Sequence, residues 1–365
     1  MTDPGLDGPP SSAGPGGGEP GGSAALSRRR LMTGVAAAVL AAPALPVAAT
    51  ARPALPGAPV DITVRSFPIN AFAPGQPTKT VFGRLEYLGG LELQSDHRGF
   101  GGISSIRTDA TGQRLTAITD KGQWLTARID MEGRKPAGLS QARMAAILGP
   151  NGRPLADTGN WDTEALWIEG GTAYVAVERT HRIFRFDTFG RDGLTARGVA
   201  SPVPMGDRRL SGNRGIEALG VLPRPSPLAG TLIGISERGL NDQGDIRGFL
   251  FTPTPREFFV KRTNEFDITD LAFLPNGDLL ILERWFSVWR GLGVRIRRID
   301  AANIRPGATL DGPIVMSADL SAQIDNMEGL AVHRDGNGDT ILTLVSDNNF
   351  SFLQRTLLLQ FAYRG

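Results

Sequence analysis

One plan is written five times along this 365-residue chain, and a repeat of that length constrains the fold more than any single motif. Five segments open with a small or acidic signature: GGISSI (101–106), DTEALWI (162–168), RGIEALGV (214–221), DITDLAF (267–273) and NMEGLAV (326–332). Each is followed by a second apolar run that closes on an acid: LTAITDKG (115–122), AYVAVERT (173–180), LIGISERG (232–239), LLILERW (279–285) and LTLVSDNN (342–349). A third strand follows in every unit and a more irregular fourth in four of them. Turn chemistry agrees, with Asn276-Gly277 and the DGNGD run at 335–339 between first and second strands. No segment of the repeats has the period of a long amphipathic helix. The pattern predicts an all-β fold, a β-propeller of four-stranded blades. Five blades are counted, and six if the segment around 61–80 adds strands. The fifth unit ends after its third strand at Gly365, while TVFGRLEYLGGLEL (80–93) stands alone ahead of the first. An N-terminal strand completing the last blade would close the ring and remove exposed sheet edges.

The closing acids Asp120, Glu178, Glu237, Glu283 and Asp347 are expected at one place in five blades. Lys121, Arg179, Arg238 and Arg284 follow four of them, and Asn348 the fifth. A second set, Glu164, Glu217, Asp270 and Glu328, falls on the first strands, with Ser104 or Ser105 in the first unit. First strands of a propeller line its channel, so up to nine carboxylates converge near the axis beside four cations. Such a cluster must bind a cation, pair with Arg or hold protons. Oxygen donors in a chain with no Cys and three His suit Ca²⁺ or another hard divalent cation rather than Zn²⁺. The neighbouring Lys and Arg suit an anionic group such as phosphate. On this basis Glu164, Glu217 and Glu328 are candidate catalytic groups. Asp120, Glu178, Glu237, Asp270, Glu283 and Asp347 are candidate metal ligands, and Lys121, Arg179, Arg238 and Arg284 candidate substrate contacts. The alternative is that each acid is a latch, hydrogen-bonded to a neighbouring blade and repeated for structural reasons.

Several other chemistries find no support. The absence of cysteine removes disulfides and thiolate sites. A net charge of +2 gives no electrostatic basis for nucleic-acid binding. The DGNGD run has the opening spacing of a calcium loop, but position twelve is Ser346 rather than Glu, which favours a hairpin turn. The sequence has no G-x-S-x-G, no HExxH and no P-loop. Its three histidines are scattered.

The amino terminus reads as a separate matter. Residues 1–26 are Gly, Pro and Ser rich and too poor in apolar side chains to pack. Residues 27–51 carry SRRRLM and then an Ala-rich apolar stretch, the pattern of a twin-arginine export signal with cleavage after Ala49 or Ala51. Pro43 and Pro46 oppose a stable membrane-spanning helix there. The expected order is therefore an extension (1–26), a signal (27–51), a lead-in (52–79) and the propeller (80–365). The mature protein is expected in the periplasm or secreted, with the twin-arginine machinery as its transport partner.

FGGISSI…LTAITDKGQW, DTEALW…YVAVERTHRIFRFD, GIEALG…GISERG…GDIRGFLF, FDITDLAFLPNGDLLILER and NMEGLAV…LVSDNNF together resemble the phytase-like domain family, exported bacterial proteins described as having esterase-like activity. The resemblance spans about residues 80–363 and implies hydrolysis of an ester. It transfers no ligand motif residue by residue. The leading expectation is an exported phosphoesterase acting on a small anionic ester with a hard divalent cation. A metal-dependent carboxylester or lactone hydrolase, and a non-enzymatic binding or scaffold propeller, remain the alternatives.

Overall fold

A computed structural model describes residues 57–202, 210, 215–289 and 291–365. The expected extension (1–26) and the expected export signal (27–51) lie outside the described residues, as does Arg214 of the third opening. The described chain is a five-bladed propeller. Blade 1 runs outward from the axis as β5 (Ile103–Thr108), β6 (Arg114–Thr119), β7 (Gln123–Glu132) and β8 (Lys135–Ala146). Blade 2 is β9 (Thr163–Glu169), β10 (Thr172–Val177), β11 (Arg182–Phe186) and β12 (Val199–Pro202). Blade 3 is β13 (Ile216–Val221), β14 (Leu232–Leu240), β15 (Ile246–Leu250) and β16 (Arg256–Val260). Blade 4 is β17 (Asp267–Phe273), β18 (Leu279–Ser287), β19 (Gly291–Ile299) and β21 (Ile314–Asp319). A short strand, β20 (Thr309–Leu310), adds in parallel to the edge of blade 3.

Blade 5 closes the ring as the repeat count requires. Its β22 (Asn326–Arg334), β23 (Thr340–Asp347) and β24 (Thr356–Tyr363) take their fourth strand from the other end of the chain, β4 (Leu85–Gln94). The lead-in supplies no sixth blade. β1 (Val60–Asp61) pairs with β8 and covers the edge of blade 1, and β2 (Arg65–Ile69) pairs with β4 and covers the edge of blade 5. The two-stranded seam that β4 makes with β24 is antiparallel over eight residue pairs. Strands from the start and the end of the propeller are thus fastened in one sheet, which joins the ring at its closure.

Stability resides between the blades. Five buried apolar clusters each join two adjacent blades, such as Leu282, Ile296, Leu330 and Leu359 between blades 4 and 5, and Ile118, Trp124, Val175 and Phe186 between blades 1 and 2. The inner strands touch in the order β5, β9, β13, β17, β22 and back to β5. Their small side chains allow this crowding. At Gly329 a Cβ would lie 3.0 Å from the Ile106 amide nitrogen of the next blade.

Candidate active site

The inner strands do not run straight to the channel mouth. In all five blades one residue is skipped in the ladder between first and second strand: Ser104, Glu164, Glu217, Thr269 and Glu328. Each is the extra residue of a β-bulge, which breaks the alternation and re-aims the side chain. All five are buried. The same ladders fix the second-strand position. Thr119, Val177, Ser236, Glu283 and Ser346 each pair with the residue just before the bulge. The residues that follow them, Asp120, Glu178, Glu237, Arg284 and Asp347, form the ring at the mouth.

This register corrects two residues of blade 4. Asp270 lies one place beyond the bulge position held by Thr269, and Glu283 one place before the ring position held by Arg284. Because side chains alternate along a strand, a shift of one residue sends each carboxylate elsewhere. Asp270 accepts from Arg107 Nη1 at 2.8 Å and Nη2 at 2.9 Å, from Ser105 Oγ at 3.1 Å, and from the amides of Leu271 and Leu330. Arg107 in turn donates to the carbonyls of Leu219 and Leu330. This pair ties blades 1, 3, 4 and 5 together inside the channel and is a latch, not a metal site. Glu283 is fully buried between Arg295 and Arg297, with contacts of 2.7–3.1 Å. It too is structural.

Of the four basic residues expected at the mouth, Arg238 pairs with Asp267 of the next blade, which also receives Arg262. It is an inter-blade tie. Arg284 sits in the ring itself, 3.1 Å from Glu328 and 3.6 Å from Glu237. Arg179 lies over the Trp161 ring at 4.2 Å, and the Lys121 ammonium lies over Phe350.

Of the remaining acids, Glu164, Glu178, Glu217 and Glu237 converge, while Asp120, Glu328 and Asp347 lie outside the two clusters they form. Ligand oxygens of Asp162, Glu164 and Glu178 lie within 4.8 Å of one another, and so do those of Glu178, Glu217 and Glu237. Glu178 is common to both triads. The backbone around it is cut to fit. At Gly215, a Cβ would lie 2.5 Å from Glu178 Cγ, and the Gly215 amide donates to Glu178 Oε1 at 3.2 Å. At Gly102, whose φ is 60°, the backbone likewise lies against the Asp120 carboxylate, while its amide donates to Asn348 Oδ1 at 3.1 Å. Burial and the neighbouring Glu164, Glu178, Glu237 and Glu328 push the Glu217 carboxyl well above the usual range. Glu328 is steadied by Arg284 and by the Asn326 amide at 2.8 Å. Asp347 is buried, and its carboxylate caps its own turn through the Asn349 amide at 2.6 Å.

Asp162 is the residue that motif reading missed. Its left-handed backbone, φ 71°, ends the loop entering β9 and places the carboxylate beside Glu164. The signal was present in DTE, two acids separated by one residue at the head of the second opening. Oxygen donors without nitrogen or sulfur ligands, gathered around a carboxyl whose pKa is raised by burial and by like charges, are of the donor type that a hard cation such as Ca²⁺ takes.

A profile of the family described as "Phytase-like: Esterase-like activity of phytase" matches residues 98–350, most of the chain and every inner strand. The chain belongs to this family. Two solved structures resemble this phytase-like protein at low identity. U3-55K is 9% identical over 72% of this chain and 96% of that one, with a TM-score of 0.37. The β-propeller domain of Cps50 (Swd1) from Myceliophteria thermophila is 12% identical over 69% and 67%, with a TM-score of 0.32. No curated protein matches the chain. Among the described residues, no helix is long and apolar enough to cross a membrane.

Proposed function

We propose that this phytase-like protein hydrolyses phosphoesters at the acidic mouth of its propeller, aided by Ca²⁺ or another hard divalent cation, and that it is exported by a twin-arginine signal to act outside the cytoplasm. One observation carries the reading: two carboxylate triads sharing Glu178, which is buried and packed against Gly215, with Glu237 the one half-buried member. Asp162, Glu164 and Glu178 would hold the cation. When bound, it supplies charge to the phosphoryl oxygens and acidifies an attacking water.

The chain's own groups divide the remaining work. Glu217 stands between Glu178 and Glu237 and is the residue suited to pass a proton to the departing ester oxygen, since its surroundings favour the protonated form. Arg284 is the cation set beside Glu237 and Glu328, at 3.6 and 3.1 Å. Arg179 and Lys121, each mounted on an aromatic ring, are the cations placed to meet an anionic substrate. Arg238 is withdrawn from that role by Asp267.

The test is hydrolysis of a chromogenic phosphomonoester, a phosphodiester and a short acyl ester, each with calcium and with chelator. Calcium-dependent cleavage of a phosphoester, lost in Glu178→Gln at unchanged folding, is the expected result. Metal-independent cleavage of the acyl ester alone would replace this reading with a carboxylesterase.

A further inference from the structure

Blade 4 departs from the repeat, and the departure builds a second feature beside the mouth. After the ring position, blades 1, 2 and 3 place Lys121, Arg179 and Arg238, whereas blade 4 places Trp285. Trp285 pairs with Gly293 on β19, where a Cβ would collide with the indole nitrogen, so the missing side chain lets the indole lie on the strand. Phe266 meets the indole edge-on, with centroids 6.3 Å apart and planes at 78°. Behind Phe266 the Arg295 guanidinium lies 4.0 Å from the ring centroid, and Arg295 is held by Glu283. The buried Glu283 therefore acts through Arg295 and Phe266 to fix the position of an aromatic wall.

That wall bounds a cleft of about 450 Å³, in the size range of small-molecule sites. The lining also carries polar groups among further apolar ones such as Phe72 and Phe82. Asn264, held at φ 53°, and Asp319, at the end of β21, both line the cleft, with Lys79 set over Phe82 at 5.0 Å. Phe266 and Trp285 directly adjoin Asp267 and Arg284 in sequence.

We propose that this cleft binds a neutral pyranose ring, with a C–H face on Trp285 and hydroxyls at Asn264 and Asp319. On the phosphoester reading, which this step rests on for its context, the ring belongs to the alcohol side of the ester. An acyl chain fits poorly, because it would strip water from Asn264 and Asp319 without replacing their hydrogen bonds. A multiply charged anion fits poorly too. The Asp319 carboxyl is held below its usual range by the Ser321 hydroxyl and amide and so stays ionised, and Lys79 is the one cation among the described residues of the lining.

The experiment is equilibrium binding of methyl glucopyranoside and methyl galactopyranoside to the full chain, read by saturation-transfer NMR and titration calorimetry, with hexanoate as the apolar control. Wild type should bind at least one glycoside, and Trp285→Ala and Asn264→Gly should each weaken it about tenfold or more. Asn264→Gly preserves the left-handed backbone, so it decides the matter if Trp285→Ala fails to fold. The proposal is overturned if wild type binds neither glycoside, if both folded variants bind like wild type, or if hexanoate occupies the cleft in their place. No bond is broken in this assay, so its outcome is independent of whether phosphoester turnover is found.

Discussion

Asp270 is where the latch and the metal ligand make opposite predictions, and the structure sets the size of the difference. Its carboxylate receives both Nη atoms of Arg107 at 2.8 and 2.9 Å, a serine hydroxyl and two backbone amides, all out of water. Asp270→Asn keeps the shape but leaves Arg107 charged and buried with no opposite charge. Breaking a buried pair in this way costs about 3–5 kcal/mol. For a domain of roughly 300 residues, at about 2.1 cal/mol/K of unfolding entropy per residue, that corresponds to a fall of about 5–8 °C in the melting midpoint. The assay is thermal unfolding by circular dichroism of wild type, Asp270→Asn, Arg107→Met and the double variant. The double variant should recover much of the loss, because two apolar or neutral groups leave no charge stranded, and its coupling with the singles should be large. Calcium affinity should be unchanged in whatever folds. The reasoning is refuted if Asp270→Asn melts within about 1 °C of wild type, less than 1 kcal/mol on the same conversion, while losing its response to calcium.

The remaining predictions concern the acid cluster. Glu217 has a folded pKa raised by burial and like charges, so the stability it contributes is full below its unfolded pKa and is lost as pH rises through the folded one. Wild type should therefore weaken across that window, and a pH series of chemical denaturation should show Glu217→Gln free of that loss although its turnover falls. Calcium at a hundredfold its dissociation constant should stabilise wild type by about 2.7 kcal/mol, with no such shift in Glu178→Gln, as read by melting with and without chelator. Gly215→Ala forces a Cβ against Glu178 and should cost about 1–3 kcal/mol together with a loss of calcium affinity measured by calorimetry. A Gly215→Ala variant with wild-type melting and wild-type affinity would show that the close fit is unimportant.

The sequence determined the architecture because a blade is a local object. Strand, turn and strand within each unit are read from alternation and turn residues, and five copies with one strand short at the end and one spare at the start leave ring closure as the solution. It also determined that carboxylates would gather at the axis, since equivalent places in a ring of blades are near one another. What it could not determine was register within a strand. Blade 4 slides its acids by one position, so that Thr269 and Arg284 occupy the places that Glu217 and Glu237 hold in blade 3. A one-residue shift inverts the direction of a side chain, and that decides whether Asp270 and Glu283 face a ligand or an arginine. Nor could it place Arg107 opposite Asp270, 163 residues away, or withdraw Arg238 to Asp267 of the next blade. Those partners are brought together only when the ring closes. Asp162 joins the cluster for the same reason, because its left-handed turn acquires a neighbour in Glu178 only through the pairing of β9 with β10.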